Sequence, residues 1–182
     1  MWNFSNTGIQ SWSWVRIIKM KKMYCIIAQT ILLLWFFLDM IWLKFGDKCL
    51  VTRSFKEDGI FFLVYLVAII LFIAKENIGK WFVTGWMSMW FLTQFICHEW
   101  YTIFNGGFMG TLEGKIKYFS GTIHWLQIEG RYIPDVYHTI LHILIIIALT
   151  VTIIYTVNEN DIGNWMCCIM YNIYADNITV SI

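Results

Sequence analysis

The chain has 182 residues, of which 59% are hydrophobic, well above the roughly 45–50% of a soluble globular domain. Charged residues are only 14% and there is one proline, which excludes the disordered and low-complexity classes. Thirteen Lys and Arg against twelve Asp and Glu leave a formal net charge of +1, so nothing points to nucleic acid as a partner.

The apolar excess calls for lipid. The sequence predicts an all-α, polytopic integral membrane protein, a four-helix transmembrane bundle whose main partner is the lipid bilayer. Its localisation is then a membrane, crossed several times, and the cell membrane if the source is bacterial. Residues 1–19 read as a polar, Trp-containing arm, 20–157 as the transmembrane domain and 158–182 as a polar tail.

The first span, 24–43, has about the twenty residues needed to cross a hydrocarbon core. It follows Lys19, Lys21 and Lys22. Bulky Trp35, Phe36 and Phe37, with no small-residue cleavage site behind them, favour an uncleaved helix over a signal peptide. The second span, 60–74, is short, yet it is free of charge and bounded by charges, so it crosses if its flanks snorkel or the bilayer thins. A turn at Asn77, Ile78, Gly79 and Lys80 leads to the third span, 81–104, which stops at Asn105, Gly106 and Gly107, good C-terminal cap chemistry. The fourth span, 134–157, begins at Pro134 or Asp135.

Between the third and fourth spans, Ile116, Phe119, Ile123 and Leu126 recur at helical spacing beside Lys115, Lys117 and Glu129. This pattern predicts an interfacial amphipathic helix, although a folded lid over the bundle fits equally well. The many Trp and Tyr suit the two bilayer interfaces. Loop charges nearly tie for orientation, and the lysines before the first helix favour cytoplasmic termini. Cys25 and Cys97 fall in spans, Cys49 in a loop and the adjacent Cys167 and Cys168 in the tail, with neither a disulfide framework nor a CxxC.

In an up-and-down bundle the end of helix 1, the end of helix 3 and the start of helix 4 share one membrane face. Asp39, His98, Glu99, His138 and His142 then lie within roughly 15 Å of that surface. Thr84, Gln94, His98, Tyr101 and Asn105 fall on one stripe of helix 3, and His138, His142, Thr152 and Thr156 on one face of helix 4. Histidines at i and i+4 can grip one ion from a single helix face. His98, His138 and His142 are therefore the metal-ligand set to test, with a divalent metal ion as the cofactor, and a proton site is the variant without one. Haem would need His98 facing His138 or His142. The bland alternative is interhelical bracing near helix ends. His98-Glu99 does not continue as HExxH, because position 102 is Thr102. Arg131 is expected to pair with Asp135 or Glu129.

A structural, regulatory or accessory membrane protein, with a membrane protein partner or a second copy of itself, accounts for everything except the histidines. A membrane-embedded enzyme or carrier that handles metal ions or protons accounts for the histidines as well.

Overall fold

In the computed structural model, residues 21–51 and 54–159 are described. The expected arm at 1–19, the tail from 160 onward and Cys167 and Cys168 lie outside them. The described chain is predominantly helical: α1 (Lys22–Ile41), β1 (Leu43–Phe45), β2 (Lys48–Val51), α2 (Phe55–Ala74), α3 (Glu76–Gln94), a π-helical turn (Phe95–Glu99), α4 (Trp100–Phe104), α5 (Leu112–Phe119) and α6 (Val136–Glu159).

The four long helices form a ring in which α1 packs on α2 and α6, and α3 packs on α2 and α6. Leu32, Phe36, Tyr65, Phe72, Val83, Met87, Trp90, Leu141, Ile145 and Ala148 fill its interior. Two helices, Lys22–Ile41 and Val136–Val157, are long and apolar enough to cross a membrane.

The second helix is longer than the run 60–74 predicts, because it begins at Phe55 and takes Lys56, Asp58 and Gly59 into its first turns. The third begins at Glu76, so Asn77 to Lys80 are helix rather than turn. Only Lys75 separates α2 from α3. A junction this tight requires the two backbones to touch, and a Cβ on Gly79 would overlap the Phe72 backbone. The third helix ends on Asn105 in the left-handed conformation (φ 54°, ψ 35°), the role that its sequence suggests.

The segment after α1 is not plain loop. It folds as a two-residue hairpin with antiparallel β1 and β2 and a bulge between Leu43 and Lys44, turning at Gly46 with φ +60°, a value that glycine adopts without strain. The hairpin also docks on the segment before α6: Cys49 N–H donates to the Gly121 carbonyl at 3.0 Å and Ile123 N–H to the Cys49 carbonyl at 2.9 Å. The two long connections therefore lie together at one end of the bundle.

The amphipathic periodicity through 116–126 is interrupted. α5 starts on Thr111, whose hydroxyl accepts from Gly114 N–H, and stops at Phe119, leaving Ile123 and Leu126 outside any helix. Ser120 and Gly121 follow directly, and Thr122 N–H turns back to the Phe119 carbonyl at 3.1 Å. Phe119 joins Tyr101 and Tyr132 in a small second core, with Leu112 and Ile116 against it. The segment is thus a lid on the end of the bundle.

Polar layers alternate with apolar ones along the interior. Midway, Gln29 donates to Thr152 Oγ1 at 2.8 Å and Tyr65 donates to Gln29 Oε1 at 2.5 Å. At the end away from the lid, Lys22 pairs with Glu76 at 2.8 Å and Tyr155 donates to the same carboxylate. Each buried polar side chain in these layers has a partner, as burial in an apolar surround demands.

Candidate functional site

The lidded end holds the histidines. On the third helix, five residues adopt the wider π turn, which inserts one residue into the helical phase and recurs at functional sites. Its effect is to bring His98 and the neighbouring Glu99 both toward α6. Lys115, from the lid, donates to the Cys97 carbonyl within this turn and lies over the Tyr101 ring at 4.0 Å. Burial lowers the Lys115 ammonium below its ordinary value, against the opposing pull of the nearby Cys97 and Glu99.

His98 stacks on His138 with ring centroids 4.4 Å apart and planes 24° from parallel. His142 approaches the same ring edge-on at 5.4 Å. Each imidazole has its own oxygen partner. The Tyr132 hydroxyl lies 2.5 Å from His98 Nδ1, Asp135 Oδ1 lies 2.7 Å from His138 Nδ1, and His142 sits between Gln94 Oε1, at 3.2 Å from Nε2, and the Glu99 carboxylate at Nδ1. Phe119 closes the top, 5.7 Å from the His98 ring and 5.1 Å from the His138 ring.

The partners constrain the rings unequally. Burial pushes the Tyr132 phenol upward, so it stays protonated, and its hydroxyl can either donate to His98 Nδ1 or accept from it. Asp135 can only accept as a carboxylate, so His138 carries its proton on Nδ1 and leaves Nε2 as a free lone pair. The two stacked rings therefore differ in partner, a hydroxyl for His98 and a carboxylate for His138.

Asp135 also caps α6. Its Oδ1 accepts from the His138 backbone N–H at 2.8 Å, three residues on, in N-cap geometry. Its second oxygen is buried without a hydrogen-bond partner among the described residues. It faces the Thr122 hydroxyl, but that hydroxyl is committed to the Phe119 carbonyl at 2.8 Å. Asp135 thus pairs with His138, not with Arg131 as its charge and proximity suggest.

Of the five residues singled out by depth and phase, the structure brings together His98, Glu99, His138 and His142. Asp39 is at the same end of the bundle but belongs to a separate pair, its carboxyl hydrogen-bonded to Asp58 beside Ser54, with Asp135 acting on it from further away. His124 lies apart in the lid, 3.0 Å from the Thr122 carbonyl. Among the described residues no three His, Cys, Asp or Glu side chains are arranged to hold a metal ion. The reason is visible in the stack, because near-parallel rings aim their in-plane lone pairs alongside one another rather than at a common point.

Sequence reasoning missed Tyr132, Gln94 and Asp58 as partners and misassigned Asp135. For Asp135 a signal exists, since Asp after Pro134 with His three residues later is N-cap spacing. No protein family, no curated protein and no solved structure matches the chain in comparison.

Proposed function

We propose that the chain is a multi-pass membrane protein, all four long helices crossing the bilayer, and that the histidine cluster is a proton-transfer site at one membrane face. In this reading His138 Nε2 acts as base, His98 Nε2–H as proton donor, and Asp135 and Tyr132 hold the two rings in opposite tautomers.

The membrane assignment is supported by the inverted surface of the bundle. Apolar residues face outward on every long helix, among them Ile31 and Leu34, Leu63 and Ile70, Phe82 and Leu92, and Ile143 and Ile147, whereas Gln29, His98, His142, Thr152 and Thr156 are buried. A water-soluble bundle would have the opposite distribution. α2 differs from α1 and α6 in the length of its apolar run, Asp58–Ala74, and α3 buries Lys80 in the ring.

The proton-transfer assignment rests on one observation, the stacked His98 and His138 with unlike hydrogen-bond partners. Two positive charges at 4.4 Å repel by about 4 kcal/mol at an effective dielectric of about 20, so the pair takes one added proton, not two. The polar path does not run through the bundle. Between His142 and Thr152, about 15 Å apart along α6, the interior is Trp90, Met87, Leu32, Phe36 and Ile145, all buried. Such a seal suits chemistry served from one face and is unsuited to a channel.

The test is nitrogen NMR of 15N-histidine-labelled protein in lipid nanodiscs as a function of pH. The expected result is opposite neutral tautomers for His98 and His138 and one shared proton uptake that becomes independent when Asp135 is replaced by Asn. If both rings share a tautomer, or if neither takes up a proton while His98→Ala and His138→Ala merely lower stability, the cluster braces the helices and the accessory-protein reading takes its place.

A further inference from the structure

A groove of about 210 Å³ opens on the outside of the bundle between α3 and α6, lined by Phe91, Gln94, Phe95, Glu99, His142 and Ile146, with buried Ile145 as its floor. Its position relative to the histidine cluster is what gives it meaning. Three of its walls, Gln94, Glu99 and His142, are in contact with one another at the edge of that cluster, and the rest of the lining is hydrocarbon. We infer that this groove is a lateral binding site for an uncharged single-chain amphiphile, a long-chain alcohol by class, whose hydroxyl meets Glu99 and Gln94 while its chain lies along Phe91, Phe95 and Ile146. The inference rests on the membrane and proton-transfer reading above.

Several observations fix the occupant. Ile146 is 48% exposed and forms part of the groove's mouth on the outer face of the bundle, which in a bilayer opens to lipid and not to water, so a ligand that enters there must partition into hydrocarbon. The volume accommodates a small head and the first carbons of one chain. A charged head is disfavoured because most of the lining is hydrocarbon, the Glu99 carboxylate already has the His142 ring beside it, and the lid's Lys115 turns to the Cys97 carbonyl and the Tyr101 ring. A hydroxyl can instead donate to the Glu99 carboxylate and accept from the Gln94 amide, whose oxygen is turned to His142, without importing a net charge into an apolar groove. From there it is one ring away from His98, 5.4 Å from His142, which links the amphiphile's head to the proton-transfer pair.

The experiment uses the full chain in nanodiscs of a single defined phosphatidylcholine. The probes are three photoreactive diazirines with the same saturated chain and an alcohol, a sulfate or a trimethylammonium head, together with a diazirine phosphatidylcholine, and labelled residues are read by mass spectrometry. The alcohol is expected to label Phe91, Phe95 or Ile146 about tenfold more than the charged probes do. Ile146→Trp, which fills the mouth from an exposed position, should abolish that labelling, and Ile73→Trp on the exposed face of α2 should leave it unchanged. Equal labelling by all three heads, or alcohol labelling spread evenly over α1, α2, α3 and α6, would overturn the groove while the phosphatidylcholine probe still reports membrane-embedded helices. Absence of phosphatidylcholine labelling on all four helices would overturn the membrane reading itself and the groove with it.

Discussion

Asp135 connects the two levels of the molecule, since one oxygen starts α6 and orients His138. Replacing it by alanine removes both contacts at once. Loss of an N-cap costs about 0.5–2 kcal/mol, and loss of a hydrogen bond to a charged group about 1.5–3 kcal/mol. Both run through Oδ1, so the expected destabilisation for Asp135→Ala is about 2–5 kcal/mol. Asp135→Asn keeps an oxygen for the His138 backbone N–H and for Nδ1. It replaces the buried, unpartnered Oδ2 with an amide that can donate to the Thr122 hydroxyl oxygen. Asn should therefore cost only about 1–2 kcal/mol, the difference between a charged and a neutral acceptor. Unfolding in mild detergent by added denaturing detergent, followed by tryptophan fluorescence, measures both. Equal losses for Ala and Asn would mean that capping contributes nothing. An Ala loss within about 0.5 kcal/mol of wild type, the range of an ordinary surface substitution, would refute the placement of Asp135 at the head of the helix.

The remaining predictions concern topology, the opposite end of the bundle and the helix hairpin. Reporters inserted at Asp47 in the β hairpin and at Gly107 before the lid should map to the same side of the membrane, with a reporter at Lys75 on the other; a hairpin and lid on opposite sides would mean that α2 does not cross. Hydrogen bonding from Lys22, then from Tyr155, holds the Glu76 carboxyl below its ordinary value of 4.5. The stability it contributes is then complete above about pH 4.5 and is lost as pH falls through the lower folded value, a difference of a few tenths of a kcal/mol for so exposed a pair. Glu76→Gln should flatten that acid loss, and an unchanged pH profile in the variant would refute the pairing. Gly79→Ala should cost about 1–3 kcal/mol or more, because its Cβ meets the Phe72 backbone. Gly85→Ala, in open space on the same helix, should stabilise by about 0.5–1 kcal/mol; the same sign for both would show that the α2–α3 contact is not close.

What could be read from the chain depended on the range of the interaction that decides each element. α1 and α6 are long uninterrupted apolar runs, and their hydrophobicity alone marks them. α2 is harder, because Lys56 and Asp58 sit on the first turn of a helix whose later residues are apolar, and a window that stops at charges cuts it at residue 60. The hairpin escapes any periodicity argument, since strands of three and four residues with a bulge between Leu43 and Lys44 give no alternation to detect. α5 misleads in the opposite direction. Ile123 and Leu126 continue its spacing by chance, while the Ser120-Gly121 pair that ends the helix is a local feature outweighed by a longer pattern.

The site was legible to the extent that it follows from helical phase, and His138 with His142, four residues apart on a regular helix, is the simplest case. His98 and Glu99 are adjacent, so on a regular α-helix they point about 100° apart, and only one of them should reach α6. Both do, because the π turn Phe95–Glu99 adds a residue to one turn and reduces the angular step. Nothing in Phe95, Ile96 and Cys97 announces that turn; it is held by tertiary contacts, chiefly the Lys115 donation to the Cys97 carbonyl from a lid segment 18 residues away. Helical phase also gives only the face on which a histidine lies, not the rotation of its ring. Ring rotation is set by Tyr132 and Asp135, which come from the lid and the helix cap. Those two oxygens give the stacked rings unlike partners, so the lid acts as part of the site, and a chain that lacked it would keep its three histidines while losing the asymmetry between them.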